Sequence, residues 1–452
     1  MARAAKKETP LTTEEKLAKA LVPEEEQPYP VPENWCWILL GGIATIKRGA
    51  SPRPIKEYIT NDEGGVNWIK IGDTDSNKYV THVQEKITLE GAKKSVFAER
   101  GTLLLSNSMS FGRPYILNIE GCIHDGWLAI APGSALDKEY LYYALLMSNT
   151  YFESVATGTT VRNLNSKRVS VAPIPLPPLP EQQRIVTLIE SLFADLDAAK
   201  EKLQAVLDGF AERRAALLHQ AFTGEVTREW REAHGLSVDD WISQTLKECC
   251  NIGSGGTPSR KNLSFYEGDI PWVKTKEIDW HEIHDTEEHI SQEAIDNSSA
   301  RLYNKGAVLV AMYGMGVTRG RAAILSIAAA TNQAVCVLEP QKHLTNRFLF
   351  YYFMANYWTI RSKAVGGNQL NLSGTLISKF KINIPPLPEQ KEIVRILDDI
   401  FAKESQSKAA VESALAKIDT MKKAILATAF RGGFETNNSS DESAKELLRK
   451  VL

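Results

Sequence analysis

The sequence predicts an α+β fold: two similar mixed α/β domains separated by two long helices forming an antiparallel coiled coil, a pseudo-twofold repeat. Three observations predict it. Pro178-Leu-Pro-Glu-Gln182 returns about 208 positions later as Pro386-Leu-Pro-Glu-Gln390, and the match continues without a gap through Ile185-Val186 and Ile393-Val394, Phe193-Ala194 and Phe401-Ala402. Each copy opens a run of about 40 residues whose apolar positions step four, three, four, three, the spacing of a coiled-coil seam. The stretches before the two copies share a sparse set of Trp, Gly, Pro and Lys positions and diverge elsewhere.

Taken in order, residues 1–30 read as a polar arm, with Thr12-Thr13-Glu14-Glu15 able to cap a short helix before the proline-rich Pro23–Pro32 stretch. Residues 31–177 form the first domain. Trp68-Ile-Lys-Ile71 and Thr102-Leu-Leu-Leu105 read as short buried strands bounded by glycines, and Tyr140 to about Val155 as a helix with an apolar face. Residues 178–225 form the first long helix. Pro180 fits the first turn, Glu181 sets a negative charge at the positive helix end, and Gly224 ends the run. Its seam is Ile185, Ile189, Leu192, Leu196, Ala199, Leu203, Val206 and Phe210. A linker, 226–240, leads to the second domain, 241–385, where Trp241, Gly255-Gly-Thr-Pro258, Trp272, Lys274 and Gly306 answer Trp35, Gly49-Ala-Ser-Pro52, Trp68, Lys70 and Gly101. Phe348-Leu-Phe-Tyr-Tyr-Phe353 belongs to its core. The second long helix, 386–432, carries Ile393, Leu397, Ile400, Val411, Ala414, Ile418, Met421 and Ile425, with Glu404 and Ser407 interrupting the seam. Residues 433–452 are a tail that includes a short helix, 443–451. Each long helix needs a partner and the repeat supplies one, so the two are expected to pair with each other.

Composition narrows the function classes. The net charge of −2 gives no global field for nucleic acid, so any such binding rests on local patches. Five cysteines without metal spacing, and no apolar run of 18 residues, predict a cytoplasmic protein. An enzyme reading finds no site: there is no Gly-x-x-x-x-Gly-Lys-Ser/Thr phosphate loop and no Asn-Pro-Pro-Tyr or Asp-Pro-Pro-Tyr segment. Gly253-Ser-Gly-Gly256 lacks a strand–helix context, and His281, His284 and His289 lack metal-ligand spacing, so no catalytic residue and no metal site is expected.

The paired Pro-Leu-Pro-Glu-Gln helix starts, the matched ends Ala221-Phe-Thr-Gly224 and Ala429-Phe-Arg-Gly432, and Trp230-Arg231 beyond the first end resemble the specificity (S) subunit of type I restriction–modification enzymes. The resemblance covers nearly the whole chain. It implies that each domain is a target-recognition domain reading one half of a split, asymmetric DNA sequence, with the helices fixing the gap. It implies as partners double-stranded DNA, two adenine methyltransferase (M) subunits and two motor-nuclease (R) subunits. S-adenosylmethionine, ATP and Mg would be bound by those partners and no cofactor by this chain. The alternative is a non-catalytic scaffold binding DNA or protein without a modification partner.

Phosphate contact needs Lys, Arg and small polar groups, and base reading needs bidentate Arg, Asn or Gln. Three loop regions supply them in both domains. The Gly-Ser/Thr-Pro turn and the strand after it offer Lys47, Arg48, Arg53 and Lys70 in one copy and Arg260, Lys261 and Lys274 in the other. The loop after the central strand offers Arg113 against Arg319 and Arg321. The third offers Thr160, Arg162 and Asn163 against Asn368, Gln369 and Asn371. Glycines in these loops would let backbone approach a phosphate. Glu181, Gln182, Glu389 and Gln390, at the helix starts, are expected either to hold the domain–helix junction or to meet the M subunit; the resemblance favours the second, and they are assigned to partner contact.

Overall fold

The computed structural model describes residues 11–108, 111–155, 164–314, 316–365 and 371–452. They form two compact units, one of residues up to Lys202 with Ala414–Leu452 and the other of Leu203–Ser413. The long helices run Leu179–Phe222 and Leu387–Ala429, so each unit owns one globular domain, the start of one long helix and the end of the other.

In the first unit Cys36–Leu39 pairs antiparallel with Pro173–Leu176, fastening the two ends of the domain together. A five-stranded sheet has the order Ala44–Arg48, Trp127–Pro132, Leu103–Ser106, Pro114–Leu117, Tyr79–Val80. A second has the order Ile59–Thr60, Glu85–Ile87, Val66–Ile69, Gly121–Ile123, Val96–Ala98. Both are mixed, since Tyr79–Val80 and Val66–Ile69 each have a parallel neighbour. The second unit repeats the plan. Ile242–Thr245 pairs with Lys381–Ile384, and one sheet has the order Cys250–Ser254, Val335–Pro340, Val308–Ala311, Ala322–Leu325, Glu282–Ile283. The other, among the described residues, has four strands: His289–Ile290, Ile270–Val273, Ala329–Thr331, Leu302–Tyr303. Trp68 and Trp272, on equivalent strands, are core residues. The helix expected from Tyr140 to Val155 is two helices, Lys138–Met147 and Asn149–Val155, and its counterpart is likewise Asn346–Ala355 followed by Tyr357–Ser362.

The helices pair as the seam requires. In the first unit Ile185, Val186 and Ile189 share a core with Leu426, Ala429 and Phe430; in the second Leu218 and Ala221 share one with Ile393 and Leu397. Start meets end in each, so the helices run antiparallel. Burial is uneven along the seam: Ala199, Val206, Ile400 and Met421, expected inside, are exposed. Apart from Ile418, the deeply buried seam residues fall where a domain core backs the pair, because a two-helix seam covers an apolar residue from one side only. Glu404 is an answered charge within the pair, 3.1 Å from Arg214.

Each domain is also tied to its helix by three charged groups, with the signs redistributed between copies. In the first, Lys78 lies between Glu139 at 2.5 Å and Glu190 at 2.7 Å. In the second the cation stands at the position equivalent to Glu139: Arg347 lies between Glu282 at 2.9 Å and Asp398 at 2.7 Å, and Tyr351 also bonds Asp398.

The short helix expected in the polar arm is present, and it also reaches the core. Thr13–Ala20 is a helix with a capping box between Thr12 and Glu15, and Leu17 and Ala20 are buried. The apolar side of this helix needs cover, and it packs with the tail helix Ala444–Val451, whose Ala444 and Leu448 enter the same core. Arg449 bonds Glu14 at 3.0 Å. No helix among the described residues is long and apolar enough to cross a membrane. The five cysteines are free thiols.

Candidate nucleic-acid interface

The four glutamate and glutamine side chains at the helix starts are fully buried within the chain. Glu181 accepts from Trp35 Nε1 at 3.0 Å, and Glu389 accepts from Trp241 Nε1 at 2.9 Å. Gln182 donates to the carbonyls of Ala135 and Pro177 and accepts from the Asp137 amide. Gln390 does the same with His343, Pro385 and Thr345. Their assignment to partner contact is therefore corrected: with no exposed surface and their polar atoms spent inside, they fasten each domain to its helix.

The two junctions differ in charge. Glu389 is met by Arg231 at 2.6 Å and by Thr227 at 2.7 Å, all three buried. Glu181 has Thr436 at 3.4 Å, while the nearby Arg184 is paired with Asp441. Burial pushes the Glu181 carboxyl above its ordinary range, against the lowering influence of Trp35 and Arg184.

Around the first turn the structure brings Arg48 and Arg53 together beside Asp125, while Lys47 is exposed on the strand Ala44–Arg48. Arg48 donates to the Asp125 carbonyl at 3.0 Å, and Arg53, 82% exposed, lies 3.4 Å from its carboxylate. Ser51 donates to that carboxylate at 2.6 Å, which chiefly holds its pKa down. In the second domain Arg260 pairs with Glu288 at 2.7 Å and lies 4.1 Å from the Tyr266 ring centre. Lys261 is exposed. Lys70 pairs with Glu85 at 2.8 Å, and Lys274 with Glu288 and Glu287 at 2.8 and 3.0 Å. The glycines of this turn serve packing, not an open cradle: a Cβ on Gly49 or Gly255 would strike the carbonyl oxygens of His124 or Thr331.

In the loops after the central strands two left-handed glycines stand at matching positions, Gly112 (φ 71°) and Gly320 (φ 88°). Arg113 bonds the Ser76 carbonyl and lies over Tyr115. Arg321 pairs with Asp279, and Arg319 is half-buried with Arg361 beside it. Asn371 closes its loop through a two-way main-chain bridge to Val365 at 3.0 Å. Thr160, Arg162, Asn163, Asn368 and Gln369 lie outside the described residues. His289 bonds Asp285, and no group of three metal-ligating side chains gathers among the described residues.

Sequence reasoning missed Lys78, Arg347 and Arg361, and matched Trp35 with Trp241 without naming their glutamate partners. The repeat carried that last signal, since both Trp–Glu pairs recur at matching positions. Arg361 offered none, because Glu153 stands at its counterpart.

Comparison with known proteins follows the same lines. The family model "Type I restriction modification DNA specificity domain" matches twice, at residues 32–208 and 238–413. The EcoBI specificity subunit of Escherichia coli is 25% identical over 93% of this chain and 92% of its own length. The MjaIX specificity subunit of Methanocaldococcus jannaschii is 22% identical over 82% and 88%. The HsdS subunit from Thermoanaerobacter tengcongensis has the same fold, with a TM-score of 0.63 at 20% identity, covering 90% of this chain and all of that one. A chain solved for the assembly and conformational transition of the type I R-M system superposes with a TM-score of 0.67 at 21% identity and the same coverage. With a family model over more than half its length and two domains built to one plan, the chain belongs to the type I restriction–modification DNA specificity family.

Proposed function

We propose that this chain is the DNA sequence-recognition subunit of a type I restriction–modification complex, contributing the address and leaving the chemistry to its partners. Each domain reads one half of a split sequence, and because the two domains differ in side chains, the half-sites differ. The observation that carries this reading is the duplicated domain on an antiparallel helix pair. Two domains with one fold, each fastened to its helix by a Trp–Glu bond, suit two separate segments of duplex. The exposed Lys47, Arg48 and Arg53 suit phosphate contact; Arg113, Arg319 and Arg321, on glycine turns, suit base edges. Thr160, Arg162, Asn163, Asn368, Gln369 and Asn371 complete the proposed surface. Several of these cations already hold an acidic partner, so DNA binding exchanges one anion for another.

At 1.5 Å per residue the long helices, 44 and 43 residues, are about 65 Å long, close to two turns of B-DNA at about 34–36 Å each. Two methyltransferase subunits carrying S-adenosylmethionine would modify one adenine in each half-site, and two motor-nuclease subunits using ATP and Mg would cleave. In such a complex the target adenine leaves the stack for the methyltransferase pocket, while this chain holds the duplex in register. The test inserts one heptad into both long helices and reads the methylated sequence. The expected outcome is an altered gap between unchanged half-sites; altered half-sites would overturn the ruler role.

A further inference from the structure

In the second domain a guanidinium and a phenol from one short helix grip the main chain of a candidate DNA loop. Arg361, half-buried on Tyr357–Ser362, donates Nη1 to the Arg319 carbonyl at 2.9 Å and Nη2 to the Gly316 carbonyl. Tyr357 donates its hydroxyl to the Val317 carbonyl at 2.5 Å. Three carbonyls of the 316–321 loop are thus held from one side. The far end is fixed by main-chain bonds from Gly320 and Arg321 to Ala311 and Thr318, and by the Arg321–Asp279 ion pair. Gly316 and Gly320 have positive φ, so the turn depends on a conformation that other residues resist. The grip leaves Val317, 52% exposed, and the neighbouring Tyr313 facing solvent. Apolar groups in that setting suit a thymine methyl or a sugar face. Among the described residues the first domain shows no such grip: Asn149 and Glu153 occupy the equivalent positions and hydrogen-bond to each other at 3.2 Å.

We propose that Arg361, assisted by Tyr357, is a positioning residue that fixes the 316–321 loop in the conformation that reads the second half-site. The inference rests on the DNA-recognition reading of that loop. Arg361 meets the loop through backbone carbonyls, so it sets where the reading side chains stand without itself naming a base. The described part of the first loop is held by other groups: Gly112 donates its amide to the Ser106 carbonyl, Asn107 donates its side-chain amide to the Asp125 carbonyl, and Arg113 bonds the Ser76 carbonyl, so the dependence on Arg361 belongs to the second half-site.

The test uses the full chain assembled with its methyltransferase, and duplexes carrying the methylated sequence with single base changes in either half. Arg361→Lys keeps the charge but replaces the planar fork, whose two nitrogens each reach a separate carbonyl, with a single ammonium nitrogen. Losing one charge-assisted bond is expected to weaken cognate binding about tenfold. Discrimination against changes in the second half-site should flatten, while first half-site penalties, salt slope and melting temperature stay as in wild type. Tyr357→Phe should act in the same direction more weakly, and Glu153→Gln should leave both half-sites unchanged. Unaltered binding by Arg361→Lys would overturn the proposal, as would equal losses at both half-sites with a lowered melting temperature. Replacing Val317 and Thr318 separates the two levels. If those changes matter and Arg361→Lys does not, positioning fails alone; if they too are silent, the loop is not on DNA and both readings fail.

Discussion

Replacing Lys78 by Glu should unfasten the first domain from its helix, and a second replacement should restore the fastening with the opposite polarity. The Lys78 side chain is 14% exposed and meets Glu139 and Glu190, themselves 31% and 48% exposed. Removing one partner of a fully buried pair costs about 3–5 kcal/mol, whereas an exposed pair contributes about 0–1 kcal/mol. The partly exposed carboxylates place the loss between these limits, and a third carboxylate adds repulsion, so about 3 kcal/mol is expected for Lys78→Glu. At about 2–4 °C per kcal/mol for a unit of this size, melting falls by roughly 6–12 °C. Adding Glu139→Arg recreates the second unit's order, in which Arg347 stands between Glu282 and Asp398. Thermal unfolding of the four members of the cycle gives the coupling directly. A double variant no more stable than Lys78→Glu, or a single-variant loss below about 1 kcal/mol, would refute the argument that the two triads are one device with exchanged signs.

The two junctions should respond differently to loss of charge. Arg231→Ala leaves the Glu389 carboxylate buried without its cation, and about 3 kcal/mol should be lost in denaturant unfolding, much less when Glu389→Gln is already present. At the first junction burial raises the Glu181 pKa, so the neutral form is favoured in the folded chain, with Arg184 opposing and Asp441 reinforcing the shift. That contribution is complete below the ordinary value of 4.5 and is lost as pH rises through the elevated one. Glu181→Gln should therefore gain on the wild type as pH rises from 4.5 towards neutrality, and a difference independent of pH would contradict the assignment.

The repeat made the architecture legible. The ungapped match from Pro178 and Pro386, with its 3.5-residue spacing, located both long helices and their partnership, and Trp68 and Trp272 marked equivalent core strands. What it concealed follows from what periodicity encodes. A seam pattern records which face is apolar, not how much cover that face receives, so Val206, Ile400 and Met421 were placed inside and lie exposed. Glu181 and Glu389 read as polar helix starts, but their burial depends on Trp35 and Trp241, about 147 residues away in sequence, and long-range pairing leaves no local signal. Lys78 and Arg347 escaped for a related reason: the exchange of signs preserves the attraction while erasing the sequence match. The polar composition of the first residues masked Leu17 and Ala20, which reach the core from one face of a short helix.

Sequencing the adenine methylation of a host with this gene intact and deleted, its neighbours unchanged, tests the central claim most directly. The expected result is that methylation at one split, asymmetric sequence disappears on deletion, which would also name both half-sites. An unchanged pattern, with the neighbouring methyltransferase expressed and active, would contradict the role of this chain as the address of the complex.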